Sequence, residues 1–400
     1  MKLRAVDILR FIFKPYGIVA CTILLSFAAW ALPDFGILQK GYENPQSVFS
    51  FGMLLAIVWY GMIILISWVG FQTGQASSSI IMSFDRKARL DDFPAYCFLS
   101  AVGLIGFVYV FSLMVSTFGL NQLVMIVASG EANKFHKALY TDYSIGVYSL
   151  RYVVILSGGL AIYRIISHIS RSFLDILNIV LLLMVAIIAS RMSVVFALVI
   201  GFGLWVLNVK SVRIRVVRWV LFLAALFVLF AAYNYSRNIN YYLAAGKSNF
   251  FSAGASEIMK YLGTPFQGAV ATGNEFEQII LYPENVSRFT GINHSLTTNS
   301  ALLQLVREHG YYSFLIMFLA VSISSFLMGM FYRQRNNYLI LIYFVLLYCF
   351  AEIWRVFIFN AGIVMTLLVF SIAAPFASMF IKWIISQGKT SASSHNVGVQ

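Results

Sequence analysis

Six arginines lie on the side of the predicted membrane helices where the preference of Lys and Arg for cytoplasmic loops does not explain them. They lie in the outer gaps between apolar segments or at the bordering helix ends, and they are Arg151, Arg191, Arg237, Arg288, Arg307 and Arg355. Arg is permanently charged, and its planar fork of donors suits bidentate binding of phosphate. We expect these side chains to bind an anionic group outside the membrane.

Individual arginines have alternative interpretations. Arg191 is the strongest binding candidate because it stands in a very short turn between two apolar helices, where an ionisable group is costly. Alternatively, it snorkels to lipid headgroups. Arg151 is equally explained as an interfacial anchor. For Arg355 a structural ion pair has about equal weight, because Glu352 precedes it by three residues, a helical spacing.

Acid–base chemistry has fewer candidates. Glu308 lies in the run Arg307-Glu308-His309-Gly310 and could accept a proton from a hydroxyl group. His294 and His309 are weaker candidates, because a histidine in a loop is more often a bystander. Four tyrosines and one histidine on the same side could contact sugar rings, although Tyr is also common at membrane interfaces; they are Tyr235, Tyr241, Tyr242, Tyr261 and His294.

Apolar segments of spanning length must position these side chains. With 60% hydrophobic and 11% charged residues, the chain belongs to the integral membrane proteins. The gaps on one side are short and hold most of the 28 Lys and Arg, which predicts that this side, with both termini, is cytoplasmic. We predict an all-α fold of about ten transmembrane helices near 16–33, 50–71, 95–118, 152–166, 173–189, 192–207, 217–233, 311–332, 338–351 and 356–383.

The division of the chain follows from these segments. We predict transmembrane helices one to seven with smaller periplasmic loops over 1–233, a large periplasmic loop over 234–310, helices eight to ten over 311–389 and a flexible cytoplasmic tail over 390–400. Within the large loop, helical spacing is found over Ser256–Leu262, where Ser256 could cap the helix, and over Asn299–His309.

Several classes of chemistry lack their motifs. The three cysteines all lie in apolar segments, which gives no disulfide framework in water-facing loops. Asp-x-Asp, a complete Walker A sequence, His-Glu-x-x-His and Gly-x-Ser-x-Gly do not occur. We therefore expect no metal and no cofactor. The basic residues are not gathered on one face, so nucleic-acid binding is not indicated.

In its architecture and in three local stretches, the chain resembles a bacterial O-antigen or oligosaccharide repeat-unit polymerase of the Wzy type. The stretches are Ser190-Arg191-Met192-Ser193, Tyr261-Leu262-Gly263-Thr264-Pro265, and Thr298-Asn299-Ser300 running to Glu308-His309-Gly310. The resemblance implies a fold similar to the GT-C-like glycosyltransferases that act on lipid-linked sugars. The related O-antigen ligases carry a His-Asn pair where Asn299-Ser300 stands, which favours the polymerase over the ligase.

The resemblance implies a function at the periplasmic face of the bacterial inner membrane. A growing glycan on undecaprenyl pyrophosphate would be transferred, without a metal, onto an incoming lipid-linked unit. Pyrophosphate binding would use the six arginines, with Arg191, Arg288 and Glu308 as the catalytic candidates. A chain-length regulator protein is a further expected partner. The alternatives are an O-antigen ligase and a flippase or transporter of the lipid-linked unit.

Overall fold

The structure, a computed structural model, is built of α-helices. It describes residues 5–33, 40–42, 44–80, 89–128, 146–169, 172–188, 192–209, 250–292 and 299–395, together with 221, 224, 225, 227, 228, 231, 232 and 235. The first eight helices are α1 (Ala5–Ile12), α2 (Pro15–Ala31), α3 (Phe51–Ala76), α4 (Phe93–Phe118), α5 (Leu120–Ala128), α6 (Val153–Ile166), α7 (Phe173–Ile188) and α8 (Met192–Asn208). They are followed by α9 (Phe250–Asn274), α10 (Phe276–Leu281), α11 (Val286–Thr290), α12 (Ala301–His309), α13 (Ser313–Phe331), α14 (Ile340–Glu352) and α15 (Gly362–His395).

The helices confirm the all-α, membrane-protein character of the chain. Among the described residues, 5 helical segments are long and apolar enough to cross a bilayer: Phe51–Ser79, Phe93–Phe118, Val147–Ile166, Ala301–Phe331 and Gly362–Gln387. The bent pair of α1 and α2 makes a sixth if it is one span, and α7, α8 and α14 are shorter apolar helices. The count of ten spans, the GT-C-like likeness, the inner membrane and the orientation of the termini stay predictions.

Small residues bring α3 and α13 into close contact. A Cβ atom on Gly74 would lie 2.0 Å from the carbonyl oxygen of Phe326, and one on Gly329 would lie 2.2 Å from that of Phe71. Helices in a bilayer associate largely by packing, and small residues allow the backbones to approach. This pair forms one side of the bundle.

Helix α14 lies at the centre of the bundle. Its residues are buried throughout except for Ala351, and it contacts α2, α8, α13 and α15. A helix that is apolar on every face must be surrounded on every face, and α14 is. The polar end of this central helix, Glu352, therefore lies among its neighbouring helices.

The segment predicted as the large loop contributes helix α9 to the bundle. Gly263 of α9 lies against Ala29 of α2, and Gly273 lies against Gly52 of α3. The helix is much longer than the predicted Ser256–Leu262. The predicted cap at Ser256 is wrong, because this residue is in mid-helix and its hydroxyl donates to the Ser252 carbonyl at 2.7 Å. That the segment 234–310 lies outside the membrane stays a prediction.

A single glutamine connects α9 to the chain around it. Gln267 is fully buried, and its Oε1 accepts from Trp30 Nε1 at 2.8 Å and from the backbone N–H of Gln46 at 3.1 Å. Its Nε2 donates to the carbonyls of Asn44 at 2.9 Å and Thr290 at 3.5 Å. All four hydrogen-bonding positions of this amide are used, so Gln267 fixes α2, the 44–46 segment and α11 relative to one another.

At the opposite end of the bundle a buried ion pair joins α6 to α7. Arg164 Nε lies 3.1 Å from Asp175 Oδ1, and the two residues are 6% and 1% exposed. The Tyr96 hydroxyl donates to the same carboxylate oxygen at 2.8 Å, and the Ser172 backbone N–H donates to the other at 2.9 Å. Arg164 is one of the arginines from which the sequence predicts the cytoplasmic side, and here its charge is paired inside the protein.

Candidate functional site

The candidate site is built around Arg355, in the turn that follows the central helix α14. Its guanidinium Nε donates to the carboxylate of Glu352, which confirms the ion pair predicted from their spacing of three residues. The Glu352 side chain is 7% exposed and that of Arg355 is 17% exposed. The backbone N–H groups of Arg355 and Val356 both donate to the Glu352 carbonyl at 2.9 Å, so the last turn of α14 fixes the backbone under the pair.

Two further helices, α8 and α9, contribute to the surroundings of this guanidinium. Arg355 Nη2 lies 3.1 Å from the sulfur of Met192, the first residue of α8. Tyr348 of α14 and Tyr261 of α9 interact with it electrostatically. Burial lowers the pKa of Arg355, but the Glu352 carboxylate and the two phenols offset this and leave the pKa above its ordinary value. The arginine is therefore charged at every physiological pH.

A glutamine joins the predicted base to the same turn. Gln304 of α12 accepts through Oε1 from the Phe357 backbone N–H at 2.9 Å and donates through Nε2 to Glu308 Oε1 at 3.3 Å. The Glu308 side chain is 40% exposed, with His309 Nε2 3.9 Å from its other oxygen. Gln304 thus links one carboxylate oxygen of Glu308 to the turn that carries Arg355, while the Glu308 side chain stays accessible to water.

Ser300 caps helix α12. The Ser300 hydroxyl accepts from the Leu302 backbone N–H at 3.1 Å. The Tyr60 hydroxyl of α3 donates to the Trp354 carbonyl at 3.3 Å, which ties α3 to the residue before Arg355. Five helices, α3, α8, α9, α12 and α14, therefore meet at or near the turn that carries Arg355.

Arg151 lies in a different, closed environment. It is 1% exposed, its guanidinium carbon lies 3.4 Å from the Tyr148 ring centre and 4.6 Å from that of Tyr152, and its Nη2 donates to the Tyr152 hydroxyl at 2.8 Å. The stacked rings and the hydroxyl hold the side chain inside the 3-10 turn Val147–Tyr152, which packs on α4. In this conformation a phosphate has no access to Arg151.

The remaining predicted residues are dispersed or fall outside the described ranges. Arg288 is exposed on α11, Arg307 is exposed on α12, and Tyr235 is half-buried. Five predicted residues lie outside the described residues: Arg191, Arg237, Tyr241, Tyr242 and His294. Of the predicted set, the structure brings Arg355, Tyr261 and Glu308 into one neighbourhood, and Met192, the residue after Arg191, touches it.

Sequence reasoning missed four members of this neighbourhood. Gln304 and Tyr348 precede Glu308 and Glu352 by four residues, so the helical spacing that found the Arg355 pair could have found both. Met192 and Tyr60 are far from Arg355 in the chain, and no local pattern marks their contacts.

In the ranges that the structure describes, no three His, Cys, Asp or Glu side chains form a group that could hold a metal ion. That the reaction needs no metal stays a prediction. Compared with known protein families, curated proteins and solved structures, the chain matches none of them.

Proposed function

We propose that this protein is a membrane-embedded glycosyltransferase that polymerises lipid-linked repeat units. The growing glycan on undecaprenyl pyrophosphate is the donor, and a hydroxyl of the next lipid-linked unit is the acceptor. The observation that carries the proposal is the Arg355 site: a buried, permanently charged guanidinium at the end of the central helix, in a turn to which Gln304 links the carboxylate of Glu308.

The guanidinium has one edge available for an anion. Nε is used by Glu352 and Nη2 faces Met192, whereas Nη1 makes no hydrogen bond to any residue that the structure describes. A guanidinium held by a carboxylate on one edge can present the other edge to a phosphate oxygen. Glu352 therefore acts as a positioning residue, because it fixes the side chain that would bind the ligand.

The proposed chemistry needs charge stabilisation more than it needs a strong nucleophile. As the bond between the anomeric carbon and the pyrophosphate breaks, negative charge grows on the leaving oxygens. A fixed cation in a site of low dielectric constant stabilises that charge without reorganising. In this scheme Arg355 binds the leaving group, with Arg191, Arg237, Arg288 and Arg307 as further candidates.

The acceptor hydroxyl loses its proton as it attacks. Glu308 is the proposed base, because its carboxylate is exposed to an incoming group while Gln304 keeps it near the Arg355 turn. The bond formed joins the acceptor oxygen to the anomeric carbon, the bond broken releases undecaprenyl pyrophosphate, and the proton passes to the carboxylate.

The test is a complementation experiment in a deletion strain. We expect Arg355→Ala to abolish polymer and to leave lipid-linked oligosaccharide accumulating as single units. Because this substitution leaves the Glu352 carboxylate unpaired, the amount of folded protein is measured beside that of Glu352→Leu combined with Arg355→Met, which removes both charges and should also make no polymer. The matched control is Arg333→Ala, which removes an exposed arginine beyond the other end of α13. Normal polymer from Arg355→Ala would contradict the site.

The same experiment separates the alternatives. In cells without this protein, loss of polymer with accumulated single units indicates a polymerase. Loss of glycan-capped lipid while polymer is still made indicates a ligase. Single units confined to the cytoplasmic leaflet indicate a flippase.

A further inference from the structure

Helix α1 lies across the bundle rather than along it. The axis of its segment Val6–Ile12 makes an angle of 84° with that of α2, and only residues 13 and 14 separate the two helices. Because α2 is apolar and packs along α3 and α9, its axis follows the bundle. Helix α1 therefore runs nearly parallel to the membrane plane, at the end of the bundle that the charge pattern predicts to be cytoplasmic.

The faces of α1 differ in polarity. Val6 is 4% exposed and faces the protein, whereas Ile8 and Phe11 are 47% and 48% exposed. At 100° per residue, Ile8 and Phe11 lie about opposite Val6, and together they form the exposed apolar flank of the helix. Asp7, also exposed, lies between Phe11 and Arg10. The helix thus has a buried face, an exposed apolar flank and a polar flank.

An arginine fixes α1 to the bundle. Arg10 donates through Nη2 to the Val209 carbonyl at 2.8 Å and through Nε to the Val206 carbonyl at 3.4 Å, at the C-terminal end of α8. A cation at this end of a helix is favoured by the helix dipole. The height of α1 relative to the bundle is therefore set by the protein itself.

We propose that α1 binds the lipid surface, with Ile8 and Phe11 inserted at the boundary between headgroups and acyl chains. An amphipathic helix lying in the plane of the interface binds through its apolar flank and through attraction to anionic lipids. Lys14, which follows α1, and Arg335 lie near the ends of the spans on this side and supply the complementary charge.

A lipid surface fits this flank better than a protein does. A specific protein interface buries about 1,200–2,000 Å² in total. Two exposed apolar side chains offer much less, but they suffice for an interfacial helix whose neighbouring span already lies in lipid. The exposed apolar side chains of α2 lie farther along that helix, such as Leu24 at 65% and Leu25 at 58%.

The test measures the depth of spin labels in the full-length protein. The native cysteines are replaced (Cys21→Ala, Cys97→Ala, Cys349→Ala), and a single nitroxide is placed by Phe11→Cys or, as the matched control on the same helix, by Asp7→Cys. Leu25→Cys gives a reference inside the bilayer. Each protein is reconstituted in nanodiscs of phosphatidylethanolamine and phosphatidylglycerol. The rate at which the nitroxide collides with oxygen, which concentrates in the bilayer, is then compared with its rate of collision with a water-soluble nickel chelate.

We expect the label at Phe11 to meet oxygen more than nickel, as the label at Leu25 does, and the label at Asp7 to show the reverse. Equal exposure of both α1 positions to nickel would place α1 in water. Shielding of the Phe11 label from both reagents would show a protein partner or a second copy on this flank. Any pattern other than the expected one overturns the proposal.

Discussion

The Glu352–Arg355 pair occupies a place where two apolar side chains would serve the fold at least as well. Removing two charges from water is costly, and replacing a buried ion pair by packed hydrophobic residues is often neutral or stabilising. The pair is 7% and 17% exposed at the end of a helix that is otherwise apolar. Glu352 also lies at the negative end of the helix dipole, where a carboxylate is unfavourable. Stability alone does not explain the pair, whereas the proposed binding role would.

This reasoning predicts different outcomes for single and double substitutions. Glu352→Leu alone leaves a buried guanidinium without its carboxylate and should destabilise the protein by about 3–5 kcal/mol. Glu352→Leu combined with Arg355→Met should restore the melting temperature in detergent close to that of the unchanged protein, yet make no polymer. If the double variant still polymerises, the pair is purely structural.

The sequence predicts contacts in the site only between residues that are close together along the chain. Glu352 and Arg355 are one helical turn apart, so their pairing could be predicted. The contact of Arg355 with Met192 and that of Tyr60 with Trp354 join helices remote in sequence. Arg151 shows a second reason, because the sequence gives its charge but not the two aromatic rings that enclose it.

At the scale of the helices, the contact between α3 and α13 depends on the absence of side chains. Gly74 and Gly329 bring the two backbones together, and Ser325 lies against Gly70 on the same seam. Because α13 directly follows α12, this seam also holds the helix that carries Gln304 and Glu308. The tight packing therefore contributes to the position of the site.

A matched pair of glycine substitutions tests this contact. Gly74→Leu places a side chain where a Cβ would already be 2.0 Å from the Phe326 carbonyl oxygen, whereas a Cβ at Gly61 on the same helix has nothing within 4 Å. We expect Gly74→Leu to destabilise the protein by about 1–3 kcal/mol or more. Gly61→Leu should leave thermal stability in detergent unchanged. Equal melting temperatures for the two variants would show that the helices are not packed closely.

Helices α14 and α9 show what an apolar pattern can and cannot predict. The continuous apolar run of α14 predicts a helix near 338–351, and the structure has a helix over Ile340–Glu352 that is buried almost throughout. Helix α9 contains several glycines, Pro265 and buried polar residues such as Thr264 and Gln267, so its sequence resembles a loop. Its glycines and small residues are instead the surfaces on which α2 and α3 pack.

At the scale of the whole molecule, helix α8 connects the two ends of the bundle. Its first residue, Met192, contacts Arg355, and the carbonyls at its other end accept hydrogen bonds from Arg10 of α1 and from Arg335. The candidate site and the proposed lipid-binding helix are thus fixed to the same rigid element. The depth of α1 in one leaflet would set the height of Met192, and of the site beside it, relative to the other leaflet.

The central claim is that this chain alone joins glycan units carried on lipid pyrophosphate. To test it directly, the purified protein is reconstituted in nanodiscs with synthetic undecaprenyl-pyrophosphate-linked repeat units. The length of the glycan and the amount of lipid pyrophosphate released are then measured over time. We expect polymer to form with one lipid pyrophosphate released for each new linkage, and Arg355→Ala to produce neither. Intact single units after incubation with the unchanged protein, or equal polymer from Arg355→Ala, would contradict the account.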